Sequence, residues 1–203
     1  VCSSDLIYRS VRAVTGASGD GPVDWAAVAD AARASTDPGD LDMSNAERQG
    51  YADDVGDARD RVREVTALEF DLPDRVEVMN RHHWLDANVG TFERVMDPIE
   101  QQADVMPGFA RVINTGSMAF ALSFLSDHVL GQYDPLLLAD SDAHALYFVR
   151  PNIRNVADML DAEYDRFRRW IAFHEVTHAA EFGAAPWLPD HLESTMMEAV
   201  ENL

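Results

Sequence analysis

Apolar residues recur at helical spacing along most of this chain, and the interruptions are short. Over residues 24–34, Trp25, Val28, Ala29 and Ala32 share one helical face, and the Asp, Pro and Gly of 35–41 break the pattern. A second helix is predicted over 44–68. Ser44 can cap it, with Glu47 three residues on as its capping-box partner, and Tyr51, Val55, Ala58, Val62 and Val65 form the apolar face. After the turn at Pro73, residues 76–79 are a short strand candidate, and 81–102 reads as a helix with Trp84, Val89, Phe92, Val95, Met96 and Ile99 inward. Pro107 and Gly108 punctuate the chain. A long, largely apolar helix over 111–130, closed by Gly131, is expected at the centre of the core. Two β-prone runs, Leu136 to Leu138 and Leu146 to Val149, flank a polar turn that ends at His144 and suggest a hairpin. Helix resumes near Asn155, breaks at Gly183 and Pro186, and restarts after Pro189. Residues 1–22 mix Ser, Gly and Asp around a short apolar piece, so they are expected to be a flexible segment ahead of one domain over 23–203.

Composition narrows the class. At 203 residues and 47% hydrophobic, the chain can bury a core of its own. No apolar run reaches the eighteen or so residues of a membrane span. The sequence begins at Val1 without an export signal and stops at Leu203 inside a helical pattern, so it is expected to be a piece of a longer chain. Cys2 is the only cysteine, which excludes an intramolecular disulfide and a cysteine metal site and points to the cytoplasm. Any metal must be held by His and carboxylates.

Charge adds a second restriction. The formal net charge is −20, and every one of the 16 basic residues is Arg. Such a surface repels phosphates, so nucleic acid is not an expected partner. An Asp-rich, Lys-free composition fits a protein that works in molar salt, where screening quenches carboxylate repulsion.

The chemistry lies in Phe173-His-Glu-Val-Thr-His178. On a helix, His174 and His178 stand one turn apart, so both imidazoles can reach one zinc ion. Glu175 lies about 100° around the helix from His174, where its carboxylate meets a metal-activated water rather than the metal. It would take the proton of that water during attack on a carbonyl and pass it to the leaving amine, which is amide hydrolysis. Phe167 and Ile171 precede the histidines on one helical face, so the imidazoles are expected to face the interior instead of water.

Two ligands leave a catalytic zinc site incomplete, since three are usual. His191, just after Pro189, is the leading third ligand. Glu198, twenty residues after His178, is the alternative, followed by Glu193 and residues beyond Leu203.

The motif and its surroundings resemble the zincin-like metallopeptidases of type 2, known from actinobacteria and haloarchaea. The resemblance runs through Val23-Asp-Trp25, the stretch 81–98 with Trp84, Asn88 and Phe92, and Leu130-Gly-Gln-Tyr-Asp-Pro135. It continues in Pro151-Asn-Ile153, Trp170, His174 to His178, Phe182 and Pro186-Trp-Leu, with His191-Leu192 closing it. It implies a mainly α (α+β) zincin-like domain with a small β-hairpin or sheet, Zn2+ as cofactor, and His174, Glu175 and His178 in the roles above. It favours His191, which falls in a segment typical of the family, although the spacing of Glu198 is that of glutamate-type zincins. Members of the family are longer than this chain.

Other polar residues have plainer readings. His82, His83, His128 and His144 are expected to be surface or core residues, and Asp134-Pro135 a turn, with Tyr133 and Asp134 as candidates to donate to an oxyanion or orient a ligand. The leading function is a zinc metallopeptidase acting on a peptide or small amide. The alternatives are a zinc-binding scaffold without turnover, and a hydrolase of a non-peptide amide.

Overall fold

The computed structural model describes residues 21–73, 75–102, 108–134 and 145–201. Cys2, most of the expected flexible segment, Pro107, and the predicted strand at Leu136 to Leu138 with its turn and His144 lie outside them. In chain order the elements are α1 (Trp25–Ser35), α2 (Asn45–Thr66), β1 (Arg75–Met79), α3 (Arg81–Gln102), α4 (Gly108–His128), β2 (Gly131–Asp134), β3 (Ala145–Val149), α5 (Arg150–Met159), α6 (Tyr164–Ala184) and α7 (Leu188–Glu201). The fold is mainly helical with one small sheet, as expected. Among the described residues no helix is long and apolar enough to cross a membrane.

The chain divides into two compact units. In the first, α1, α3 and α4 pack together. Asp24 caps α1 by accepting from the Ala27 N–H at 3.0 Å. The buried face of α4 is small and polar, made by Thr115, Ala119, Leu122, Ser123 and Ser126, while Ile113, Phe120 and Phe124 are exposed. This corrects the expectation that the long apolar helix lies at the centre of the core. Small side chains let it approach the alanine-rich face of α1, and hydroxyl contacts such as Thr36 to Ser123 at 2.9 Å satisfy the polar groups.

The second unit holds α2, the sheet, α5, α6 and the start of α7. Its sheet has the order β1-β3-β2, with β3 parallel to β1 and antiparallel to β2. All five residues of the central strand β3 are buried, which explains its unbroken apolar run. Helix α2 lies against α6, and Tyr51, Val55 and Ala58 meet Ile171, Val176 and Ala180 in the core. Val65, placed on that apolar face by sequence, is 84% exposed, because the contact ends before the last turn of α2. Helix α5 begins at Arg150 rather than near Asn155, started by Pro151 in its first turn.

Half of the predicted capping box forms. Ser44 accepts from the Glu47 N–H at 3.1 Å, but the Glu47 carboxylate turns to the buried Arg150 at 2.7 and 3.1 Å and to the Tyr164 hydroxyl at 2.8 Å. Burial pushes the Glu47 carboxyl up, but the Arg150 and Tyr164 hydrogen bonds outweigh it and hold it below its ordinary value. A depressed carboxylate contributes stability that is present above its unfolded pKa and lost as pH falls through the folded one. Glu47→Ala is therefore expected to cost about 3 kcal/mol at neutral pH, because it leaves Arg150 buried and poorly paired. Urea unfolding at pH 7 and again at acid pH checks this, and the gap between variant and parent should shrink in acid.

Candidate active site

Helix α6 carries the site. Glu163 caps it, accepting from the N–H groups of Asp165 and Arg166 at 3.1 and 2.9 Å, and Arg168 ties it to α2 through Asp54 at 2.7 Å. Its core face is Arg168, Ile171, Ala172, Glu175, Val176, Ala179 and Ala180. Glu175 is thus in the middle of the buried stripe, at 4% exposure, while His174 is exposed and His178 is half-buried. The histidines, expected to face the interior, stand on the flank, and the buried position is taken by Glu175. Successive residues turn by about 100°, so a stripe centred on Glu175 leaves His174 about 100° and His178 about 60° off it.

On that flank the rings form a ladder. Trp170 stacks on His174 with centroids 5.9 Å apart, and His174 meets His178 edge-on at 4.8 Å. The two imidazoles are neighbours, as the one-turn spacing requires. The Nδ1 of His178 lies 2.9 Å from the Glu181 carboxylate. In its neutral form His178 can donate through Nδ1 to that carboxylate, which leaves the Nε2 lone pair for a ligand. Sequence reading overlooked Glu181, although its signal is present: a carboxylate one turn after a candidate ligand histidine can hold that ring.

Glu175 points to strand β2. Its Oε2 accepts from the Tyr133 N–H at 2.9 Å. Burial pushes its carboxyl up to about 7, with the Tyr133 hydrogen bond and the nearby His178 pulling the other way. Gly131 explains the close approach, because a Cβ there would stand 2.6 Å from Oε1 of Glu175 and 2.7 Å from its Cγ. Gly131 therefore serves the carboxylate and does not end the preceding helix, which stops at His128. Gly131 to Asp134 form strand β2, whose backbone, through Tyr133, makes the contact, while Pro135 of the expected Asp134-Pro135 turn lies outside the described residues.

The remaining candidates lie elsewhere. His191 is exposed in the first turn of α7, with its ring edge-on to Trp187 at 5.7 Å. Glu193 is half-buried and Glu198 exposed on the same helix. Among the described residues, no three His, Cys, Asp or Glu side chains are grouped so as to hold a metal ion, so the structure joins His174 with His178 but not with His191. His82 faces the Thr36 carbonyl at 2.9 Å and His128 the Phe124 carbonyl at 2.6 Å, both in the first unit, and His83 is exposed.

The pair offers donor types that zinc takes, two adjacent imidazoles, one facing a carboxylate on its far nitrogen, with a buried carboxylate one residue away, and it supplies two of the three donors usual in a catalytic site. The sequence pattern of the zincin-like metallopeptidases matches residues 23–203. No curated protein matches the chain. Among solved structures, a protein of Chloroflexus aurantiacus described as a presumed hydrolase with a novel fold is 27% identical, with a TM-score of 0.68 over 96% of this chain. The present chain spans 58% of the length of that protein.

Proposed function

Since this chain belongs to the zincin-like metallopeptidase family, we propose that it is a zinc-dependent hydrolase that cleaves an amide bond, with His174 and His178 as metal ligands and Glu175 as general base. One observation carries the reading: a buried carboxylate, held by the Tyr133 N–H, adjoins a pair of neighbouring imidazoles. A carboxylate so placed can take and return a proton. Zinc, when bound, polarises the amide carbonyl and acidifies water. Glu175 then accepts the proton of the attacking water and delivers it to the leaving amine nitrogen as the C–N bond breaks. The Tyr133 N–H fixes its orientation, and Glu181 fixes the tautomer of His178. The substrate is a peptide or a small amide, and the negative surface makes nucleic acid an unsuitable partner.

The third ligand in this reading is His191, with Glu198 as the competing choice. Purified protein is expected to hold one zinc per chain by mass spectrometry, and His191→Ala to weaken its affinity by about tenfold or more. If Glu198→Ala alone weakens it, the third ligand is Glu198. The alternative reading is a zinc-binding scaffold that holds the metal without turnover. Stoichiometric zinc with no cleavage of any peptide or amide offered would support it.

The surroundings we propose are a reducing, salt-rich cytoplasm. With a net charge of −20 and no Lys, the folded chain repels itself at low ionic strength. The melting temperature is expected to rise by roughly 5 °C or more between about 0.1 and 2 M potassium chloride as screening shortens the range of repulsion. A melting temperature that stays level or falls speaks against salt adaptation.

A further inference from the structure

The second unit contains a cavity of about 520 Å3 that the reaction just described does not use. Its walls include Phe70, Leu72, Tyr133, Ala179, Phe182 and Pro186. Phe70 is 5% exposed, and the rings of Tyr133 and Phe182 pack at 5.4 Å with a 52° tilt. Gly183 keeps the wall in place, because a Cβ there would stand 2.8 Å from the Phe70 Cβ and push that ring aside.

Two of the walls lead to Glu175. Tyr133 supplies the N–H that holds the carboxylate, and its side of β2 continues into the cavity. Ala179 and Phe182 follow Glu175 on α6 by four and seven residues, which is about 6 and 10 Å along the helix axis at 1.5 Å per residue. An extended peptide advances about 3.3 Å per residue. Walls that far from Glu175 correspond to a side chain about two to three residues from a carbonyl presented there.

Resting on the hydrolase reading above, we propose that the cavity is a specificity pocket that takes an aromatic side chain about two to three residues from the cleaved amide. Its volume admits such a ring, and its walls are rings, prolines and aliphatic groups, which reward apolar surface and offset-stacked contact. The charged residues of the lining are Glu69 and Asp71, whose side chains stand in water, 3.9 and 3.7 Å from Arg63. They give no buried partner to a polar side chain and repel an acidic one.

The test uses the N-acetyl amides of phenylalanine, glycine and glutamate, titrated against the full chain by ligand-observed NMR, and then against Phe182→Ala. The phenylalanine probe is expected to bind roughly tenfold to a hundredfold more tightly than the glycine probe, and the glutamate probe no better than glycine. Phe182→Ala removes one wall at a half-buried position and is expected to weaken the phenylalanine probe by about tenfold. The ranking of the three probes on the unaltered chain tests the pocket even if that variant does not fold. Equal affinity for phenylalanine and glycine, or an aromatic preference untouched in a folded Phe182→Ala, overturns the assignment whether or not the chain cleaves peptides. An aromatic preference lost in Phe182→Ala upholds it even where no hydrolysis is found, a result that counts against the proposed reaction alone.

Discussion

Glu175→Gln is expected to keep the metal and to lower kcat by about 10²–10⁴-fold or more, the usual worth of a positioned general base. Gln has nearly the same shape, and its amide oxygen can still accept from the Tyr133 N–H that Glu175 now engages at 2.9 Å. What it cannot do is take a proton. Structure and chemistry therefore separate in one substitution: circular dichroism and zinc content should match the parent, while peptide cleavage disappears. A variant that loses its zinc would make Glu175 a ligand or a structural support, and the proposed mechanism would fall with it.

Replacing both His174 and His178 by Ala is the second large effect, and it should reach the metal without reaching the fold. Zinc is expected to fall from one per chain to none. His174 is exposed and His178 half-buried, so the metal-free stability should change by no more than about 0.5 kcal/mol. Glu181→Gln should lie between the two extremes, with zinc affinity reduced by about 10–100-fold, because it loosens the tautomer and orientation of His178 without removing the ring. Stoichiometric zinc surviving in the double variant would show that these histidines are not the ligands.

Most elements of the second unit were legible as amphipathic patterns. The face of α2 through Tyr51, Val55 and Ala58, the cap at Ser44 and the apolar run of β3 all follow from local rules. The orientation of α6 did not follow from them. Its core face contains Arg168 and Glu175, and a hydrophobicity count reads both as solvent-facing. Only the tertiary partners, Asp54 for the arginine and the Tyr133 N–H for the glutamate, make that burial tolerable. Strand β2 was hidden for a related reason. Gly-Gln-Tyr-Asp has little strand preference of its own, and its extended form depends on pairing with β3 from Gly131 to Asp134. The pairing of His174 with His178 was legible from spacing, whereas the place of His191 depends on how α7 is set down, which no local pattern encodes.

The position of Glu175 within the core stripe has an evolutionary consequence. A carboxylate between Ala172 and Ala179 is a poor choice for folding alone, since it gives up hydration for one backbone hydrogen bond. Chemistry and stability thus compete for a single side chain. In a lineage that no longer used the reaction, drift would remove this glutamate early, because many apolar replacements make the fold more robust. Under the proposed mechanism, the same side chain that serves proton transfer holds the core below its own packing optimum.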